Sequence, residues 1–157
     1  MSTQVLSEQV SVDAWGRLLR GHAGAARQLS AQLHAEHGLT INDYEALLHL
    51  AHAENGSLRR VDLAERLMLT PSGVTRLLDG LERDGWVTKG QCDSDARVTY
   101  AVLTEEGRER LELAGRTHVT QIREVFVERF SDDELATLID LLGRLPGAGG
   151  PSESCEP

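Results

Sequence analysis

The sequence predicts a mainly α-helical fold with one two-stranded β-hairpin near the middle of the chain. Three observations support this prediction. Apolar residues recur every three or four positions through much of the 157 residues, as in amphipathic helices. Two short segments, residues 86–89 and 98–103, flank a polar turn, and the second is rich in β-branched side chains. Serine or threonine precedes four helical segments, where its hydroxyl can accept a free backbone N–H: Thr40, Thr70, Thr104 and Ser131.

Two helices are predicted before the middle of the chain. Residues 1–11 are predicted to be a flexible N-terminus, and a long helix follows over residues 12–37, where Gly38 ends it. Thr40 is placed to cap a second helix, and the turn residues Asn55 and Gly56 follow that helix. The long helix carries an apolar stripe made of Val12, Trp15, Leu19, Ala26, Leu29 and Leu33.

The next segment has the pattern of a helix–turn–helix. After a short helix and the turn at residues 68–70, Thr70 and Pro71 suit the N-cap and first position of a second helix, which Gly85 ends. One face of this helix is apolar: Val74, Leu77, Leu78 and Leu81. The other face carries hydroxyls, a glycine and an arginine in its first two turns, which favours entry into a DNA major groove.

The predicted hairpin is a wing beside that helix. Its polar turn, residues 90–97, ends in Arg97, and an arginine at such a tip can enter the minor groove, where the negative potential is strong. Asp95 can hold that side chain through a charge-assisted hydrogen bond. The full set of predicted DNA contacts is Arg59, Arg60, Thr70, Ser72, Gly73, Thr75, Arg76, Asp95 and Arg97.

These segments resemble the MarR-type winged helix-turn-helix repressors. The matching text is LAERL at residues 63–67, TPSGVTRLL at 70–78, LERDGWV at 81–87, DAR at 95–97 and LTEEG at 103–107. The resemblance implies a homodimeric transcription regulator that binds double-stranded DNA, with Arg97 as its wing arginine. The sequence departs from the family at Arg59 and Arg60, where a small polar cap and an apolar residue are common.

The two ends of the chain predict a dimerisation region around the DNA-binding region of residues 40–104. Residues 12–37 and 105–145 form long helices whose apolar stripes need a partner surface, and residues 146–157 are predicted to be a disordered tail. A twofold dimer would place two recognition helices about one DNA turn, ~34 Å, apart on a palindromic operator. The alternative is that the end helices fold back on their own subunit.

The net charge, the motifs and the cysteine count limit the classes of function that the sequence predicts. The net charge of −9 argues against indiscriminate nucleic-acid binding, although residues 59–97 are neutral with seven basic and seven acidic side chains. No enzyme motif, cofactor or membrane segment is predicted. The histidine pairs at 34/37 and 49/52 lack metal-site spacing, so no metal is predicted. Two unpaired cysteines suit a reducing cytoplasm.

The favoured prediction is that a small molecule regulates DNA binding. The resemblance implies a pocket between the dimer helices and the winged domain for an anionic aromatic effector. The candidate contacts are Trp15, Arg20, His22, Tyr44 and His52. One alternative is a redox-sensing repressor that uses Cys92, although Asp93 beside it is expected to raise the pKa of the thiol. Another is a winged-helix module that binds protein without DNA, which the acidic charge favours.

Overall fold

The computed structural model of the chain describes residues 3–148, with side chains from residue 7 onward. These residues form six α-helices and one small antiparallel sheet. The helices are α1 (Thr3–His37), α2 (Ile41–His52), α3 (Arg60–Arg66), α4 (Pro71–Arg83), α5 (Glu105–Val127) and α6 (Asp132–Gly143). The strands are β1 (Ser57–Arg59), β2 (Val87–Gln91) and β3 (Thr99–Leu103), and a single 3-10 turn (Glu54–Gly56) precedes β1. Among the described residues, no helix is both long and apolar enough to cross a membrane.

Four helix starts are set by local capping, as the sequence predicts. Thr40 and Ser131 each form a reciprocal capping box, with Asp43 and Glu134 respectively. The hydroxyls of Thr70 and Thr104 accept the backbone N–H three residues later, at the starts of α4 and α5. Each cap satisfies N–H groups that would otherwise lack a partner at the helix end.

The prediction that the long helix begins at residue 12 is wrong, because α1 begins at Thr3, within the segment of residues 1–11 that was predicted to be flexible. Residues 3–11 contain neither proline nor glycine, and their Gln, Glu and Leu residues are good helix formers. Polarity alone therefore does not end the helix. At 1.5 Å per residue, the 35 residues of α1 span about 52 Å. Most of the predicted disordered tail, residues 149–157, lies outside the described residues.

The sheet has the strand order β1-β3-β2, with β3 paired antiparallel to both neighbours. The hairpin of β2 and β3 is the predicted wing, and its register pairs Val87 with Leu103 and Gln91 with Thr99. The third strand, β1, was not predicted. It is only three residues long and pairs with residues more than 40 positions later, so no local pattern marks it.

The core lies inside the winged region. Its largest fully buried side chains come from α1 to α4 and from the turn between α1 and α2: Leu33, Leu39, Leu47, Leu50, Leu63, Val74 and Leu81. Of the predicted α4 stripe, Val74, Leu78 and Leu81 are buried and Leu77 is partly buried. Burial of each such side chain contributes about 1.5–3 kcal/mol relative to exposure, so this core fixes how α3, α4 and the sheet lie together.

The terminal helices expose much of their apolar surface. On α1, Val10, Val12 and Trp15 are each at least 60% exposed, and on α6 Ile139 is 73% exposed. No residue of α6 is buried. The alternative in which the end helices fold back on their own subunit holds for the C-terminal part of α1, which packs against α5 and is joined to it by the Gln121–Glu36 hydrogen bond of 2.9 Å. It does not hold for the exposed side chains named above.

Gly107 allows close packing between α5 and the start of the wing. A Cβ at this position would lie 2.1 Å from the carbonyl oxygen of Trp86. That oxygen accepts the backbone N–H of Thr104 at 3.1 Å, and the Thr104 hydroxyl donates to the Gly85 carbonyl at 2.7 Å. The first turn of α5 is thus joined directly to the chain that enters β2.

Candidate DNA interface

The start of α4 is organised around the Thr70 hydroxyl. Its oxygen accepts the backbone N–H of Gly73 at 3.1 Å and lies 3.2 Å from the Ser72 hydroxyl. A Cβ at position 73 would lie 3.1 Å from the same oxygen, so glycine suits the cap. Thr70 and Gly73, both predicted DNA contacts, therefore also have a structural role in starting the helix.

The exposed face of α4 carries the polar side chains predicted for DNA. Ser72, Arg76 and Asp79 follow one another at i, i+4 and i+7, so they lie on one stripe, and all three are exposed. Thr75 is partly buried, and its hydroxyl donates to the Pro71 carbonyl at 2.8 Å. Its proton is therefore used within the helix, whereas Ser72 and Arg76 present their side chains to solvent.

The two arginines before α3 differ in environment. Arg59 is the N-cap residue of α3, and its Nε and Nη2 both donate to the Asp62 carboxylate at 2.7 Å. This two-point contact raises the pKa of Arg59 and balances its charge locally. Arg60 is exposed and lies beside the cleft between α4 and the sheet. The departure from the family at this point is therefore an Arg–Asp pair at the helix start.

The wing presents Arg97 as the sequence predicts. Asp95 Oδ1 accepts both the backbone N–H of Arg97 at 3.0 Å and its Nε at 3.2 Å. The Arg97 side chain nevertheless remains 91% exposed. Asp95 therefore holds the base of the side chain while the rest of the guanidinium can meet another molecule.

The expectation for Cys92 is wrong in direction. Its Sγ lies 3.0 Å from the Ser94 hydroxyl, and the pKa of the thiol is lowered, first by that side chain and then by the backbone N–H groups of Ser94 and Asp95. The opposing carboxylate is Asp95, not the neighbour Asp93. Hydrogen bonds to the thiolate outweigh the acidic charge because they act at closer range.

Lys89 forms a contact that the sequence did not reveal. Its ammonium lies 2.9 Å from Glu82 Oε2 and 3.2 Å from Asp79 Oδ1, so it links β2 to two carboxylates of α4. These ion pairs raise the pKa of Lys89, with Glu82 as the larger cause. The i, i+3 spacing of the two acids was visible in the sequence, but the position of β2 beside them was not.

The candidate effector residues lie in different environments. Tyr44 is buried in the core, with its ring centroid 4.7 Å from that of His118. Trp15, Arg20, His22 and His52 are exposed. Burial raises the pKa of the Glu45 carboxyl on α2, and the charges of His49 and His22 oppose that rise. An effector site that includes Trp15 and Arg20 would need further lining residues to enclose the ligand.

The residues described hold no group of three or more His, Cys, Asp or Glu side chains placed to bind a metal ion. The charged features of the site are therefore the arginines, the lysine and their carboxylate partners. Exposed arginine on a helix face and on a wing tip is chemistry suited to phosphates and base edges.

Comparisons with known proteins agree with this geometry. The family model described as MarR family matches residues 37–98. The HTH-type transcriptional repressor YetL of Bacillus subtilis (strain 168) is 36% identical over 111 residues, which are 71% of this chain and just under two thirds, 66%, of the repressor.

Two solved structures from Streptomyces coelicolor are also similar. Sco3205, a MarR family transcriptional regulator in complex with DNA, is 28% identical with a TM-score of 0.76, over 87% of this chain and 83% of that one. AbsC, a MarR family transcriptional regulator, is 32% identical with a TM-score of 0.70, over 83% of this chain and 90% of that one.

Proposed function

We propose that this chain, which belongs to the MarR family of DNA-binding transcription regulators, is a repressor that binds a palindromic operator as a homodimer and is released by a small effector. It is a transcription regulator and not an enzyme. The observation that carries the operator contact is the 91% exposed Arg97 on a wing that flanks the polar face of α4. One arginine can then enter a minor groove while Ser72 and Arg76 face the adjacent major groove.

The test of operator binding begins with a duplex that the protein itself enriches from a random pool. We expect Arg97→Ala to weaken binding to this duplex by about 1–3 kcal/mol and to reduce the salt slope by about one. The matched control is Arg123→Ala, which removes an exposed arginine from α5. Equal affinity and salt slope for wild type and Arg97→Ala would remove Arg97 from the interface, and failure to enrich any sequence would contradict specific DNA binding.

The homodimer is supported by the exposed apolar side chains of α1 and α6. Burying such surface against a second copy removes it from water and gives the operator two recognition helices. We expect the full chain to be dimeric at micromolar concentration in light scattering and Ile139→Asp to shift it toward the monomer with loss of DNA affinity. Val61→Asp is the control for the oligomeric state alone, because Val61 on α3 is 61% exposed and lies outside the proposed dimer interface but beside the predicted DNA contact Arg60. A dimer that is unaffected by Ile139→Asp would place the interface elsewhere.

The effector proposal commits to an anionic aromatic compound near Trp15 and Arg20 of α1. An exposed indole supplies stacking surface and a guanidinium suits a carboxylate, and the second protomer would supply the missing walls. A panel of aromatic carboxylates should include one that quenches Trp15 fluorescence and lowers DNA affinity, with Trp86 as background. Trp15→Phe should abolish the quenching, and Arg20→Ala should weaken ligand binding but spare DNA binding. A panel with neither effect would contradict this site.

A further inference from the structure

Lys89 is the single lysine among the 16 Lys and Arg residues of the chain, and it occupies a bridging position. Its ammonium contacts Glu82 at 2.9 Å and Asp79 at 3.2 Å, and both carboxylates belong to α4. A lysine ammonium is a compact charge with three donors, so it can serve two carboxylates that approach from different directions. The planar guanidinium of arginine favours one two-point contact instead, as in the Arg59–Asp62 pair.

This bridge lies where the wing meets the recognition helix. Lys89 belongs to β2 and is paired in register with Ala101 of β3, which is 1% exposed. Lys89 lines one cleft between helix and sheet together with Leu78 of α4 and Val87 of β2. Beyond Gln91 the chain leaves the sheet and reaches Arg97 before it returns as β3. The junction of α4 and β2 therefore lies at the base of the wing.

The charge of the bridge bears on DNA as well. Asp79 shares the exposed stripe of Ser72 and Arg76, where a free carboxylate would repel phosphates. Lys89 neutralises part of that charge, and with two carboxylates on one ammonium the group keeps a net charge of about −1 at neutral pH. The Lys89 side chain is 51% exposed and is already engaged by two carboxylates, whereas the Arg97 side chain is 91% exposed.

We infer that Lys89 is a positioning residue of the DNA interface: by tying β2 to Asp79 and Glu82 of α4, it sets where Arg97 meets the DNA. The inference rests on the proposed function for its DNA readout. A positioning role for Lys89 and a direct phosphate contact predict opposite effects of removing a carboxylate. If the carboxylates are needed to hold the wing, removing a carboxylate weakens DNA binding, whereas if they only mask a phosphate-binding lysine, removing one strengthens it.

The first experiment measures DNA affinity by fluorescence anisotropy on the duplex enriched by the wild-type protein. We expect Glu82→Gln and Lys89→Met both to weaken binding, and Lys89→Arg to recover part of the loss. Asp84→Asn, at the C-cap of α4, is the matched control for the change of charge. Tighter binding and a steeper salt dependence for Glu82→Gln would overturn the inference, because Lys89 would then be a phosphate contact.

A double-mutant cycle tests whether Lys89 acts through Arg97. Residues that share one interaction show coupling energies of about 0.5–3 kcal/mol, which corresponds to about a two- to 150-fold departure from independent effects. Lys89→Met should therefore cost little further affinity in the Arg97→Ala background. If the fold-losses in DNA affinity of the two single variants multiply in the double variant, the two residues act independently, and that result would overturn the inference.

A second experiment needs no DNA, so it separates this inference from the proposed function. Cys92 lies in the wing, and a nitroxide attached to it in a Cys155→Ser background reports wing motion by electron paramagnetic resonance. Lys89→Met and Glu82→Gln should each increase the mobility of the label, whereas Arg97→Ala and Asp84→Asn should increase it less. Unchanged mobility of the label in both bridge variants would overturn the inference even if the protein binds DNA. If the mobility increases but the protein binds no duplex, the inference about the bridge stands and only the proposed function is contradicted.

Discussion

Replacing Gly107 with alanine should destabilise the fold sharply, although alanine is the better helix former. The new Cβ would lie 2.1 Å from the Trp86 carbonyl oxygen and 2.9 Å from Leu103 Cδ1. To reach an ordinary separation of roughly 3.5 Å, the first turn of α5 must move by about 1.4 Å from Trp86. The atom in the way is backbone, so no rotamer change relieves the clash. The movement also threatens the Thr104–Trp86 and Thr104–Gly85 hydrogen bonds.

The size of the effect follows from opposing contributions. Overpacking costs about 1–3 kcal/mol or more, and alanine recovers about 1 kcal/mol of helix propensity. With two weakened hydrogen bonds at about 1 kcal/mol each, we expect a net loss near 2–4 kcal/mol of unfolding free energy. For a chain of this length, that lowers the melting temperature by roughly 5–15 °C.

The assay is urea and thermal unfolding at one fixed protein concentration, because a dimer makes the midpoint depend on concentration. Gly80→Ala is the matched control: Gly80 lies within α4, and a Cβ there meets nothing within 4 Å. It should stabilise the fold by about 0.5–1 kcal/mol. If Gly107→Ala were as stable as wild type, the packing argument for the junction of α5 and the wing would be refuted.

Three further predictions concern single side chains. Arg76→Ala should relax base preference at one position in each half-site by about 1–3 kcal/mol in a binding selection, and equal loss on all sequences would make it a phosphate contact. Arg59→Ala should change DNA affinity less than Arg97→Ala in anisotropy titrations, because Asp62 already engages Arg59; an equal loss would count against that reasoning. Burial lowers the pKa of His118, so the unfolded chain binds a proton that the folded chain does not. The unfolding free energy should fall as pH drops below about 6.5, and His118→Gln should show a smaller fall in urea titrations; an unchanged fall would exclude His118 as a cause.

Features that depend on neighbours along the chain were predictable from the sequence. The caps at Thr40, Thr70, Thr104 and Ser131 involve residues three positions apart, and all four lie at the starts of helices. The Asp95–Arg97 contact spans two residues, and it also forms as predicted. Such interactions are formed by local geometry, so the fold class and the exposed arginine of the wing follow from reading short segments.

The sequence gives weaker information where an element has no local boundary. The segment before Val12 is polar, yet it is helical from Thr3 because nothing in it interrupts the helix. The extents of β2 and β3 shift by one or two residues from the prediction because pairing between strands, rather than residue type, sets where they end.

The sequence by itself therefore determined a helical chain with a winged helix-turn-helix, its caps, and the polar face of α4. Only the tertiary structure decided the pairing of β1 with β3, the burial of Tyr44 against His118, and the bridge from Lys89 to Asp79 and Glu82. Each of these joins residues from different elements. Their partners are chosen by how the core packs helices against the sheet, which depends on the burial of many side chains together. The spacing of residues within a single segment therefore does not predict these partners.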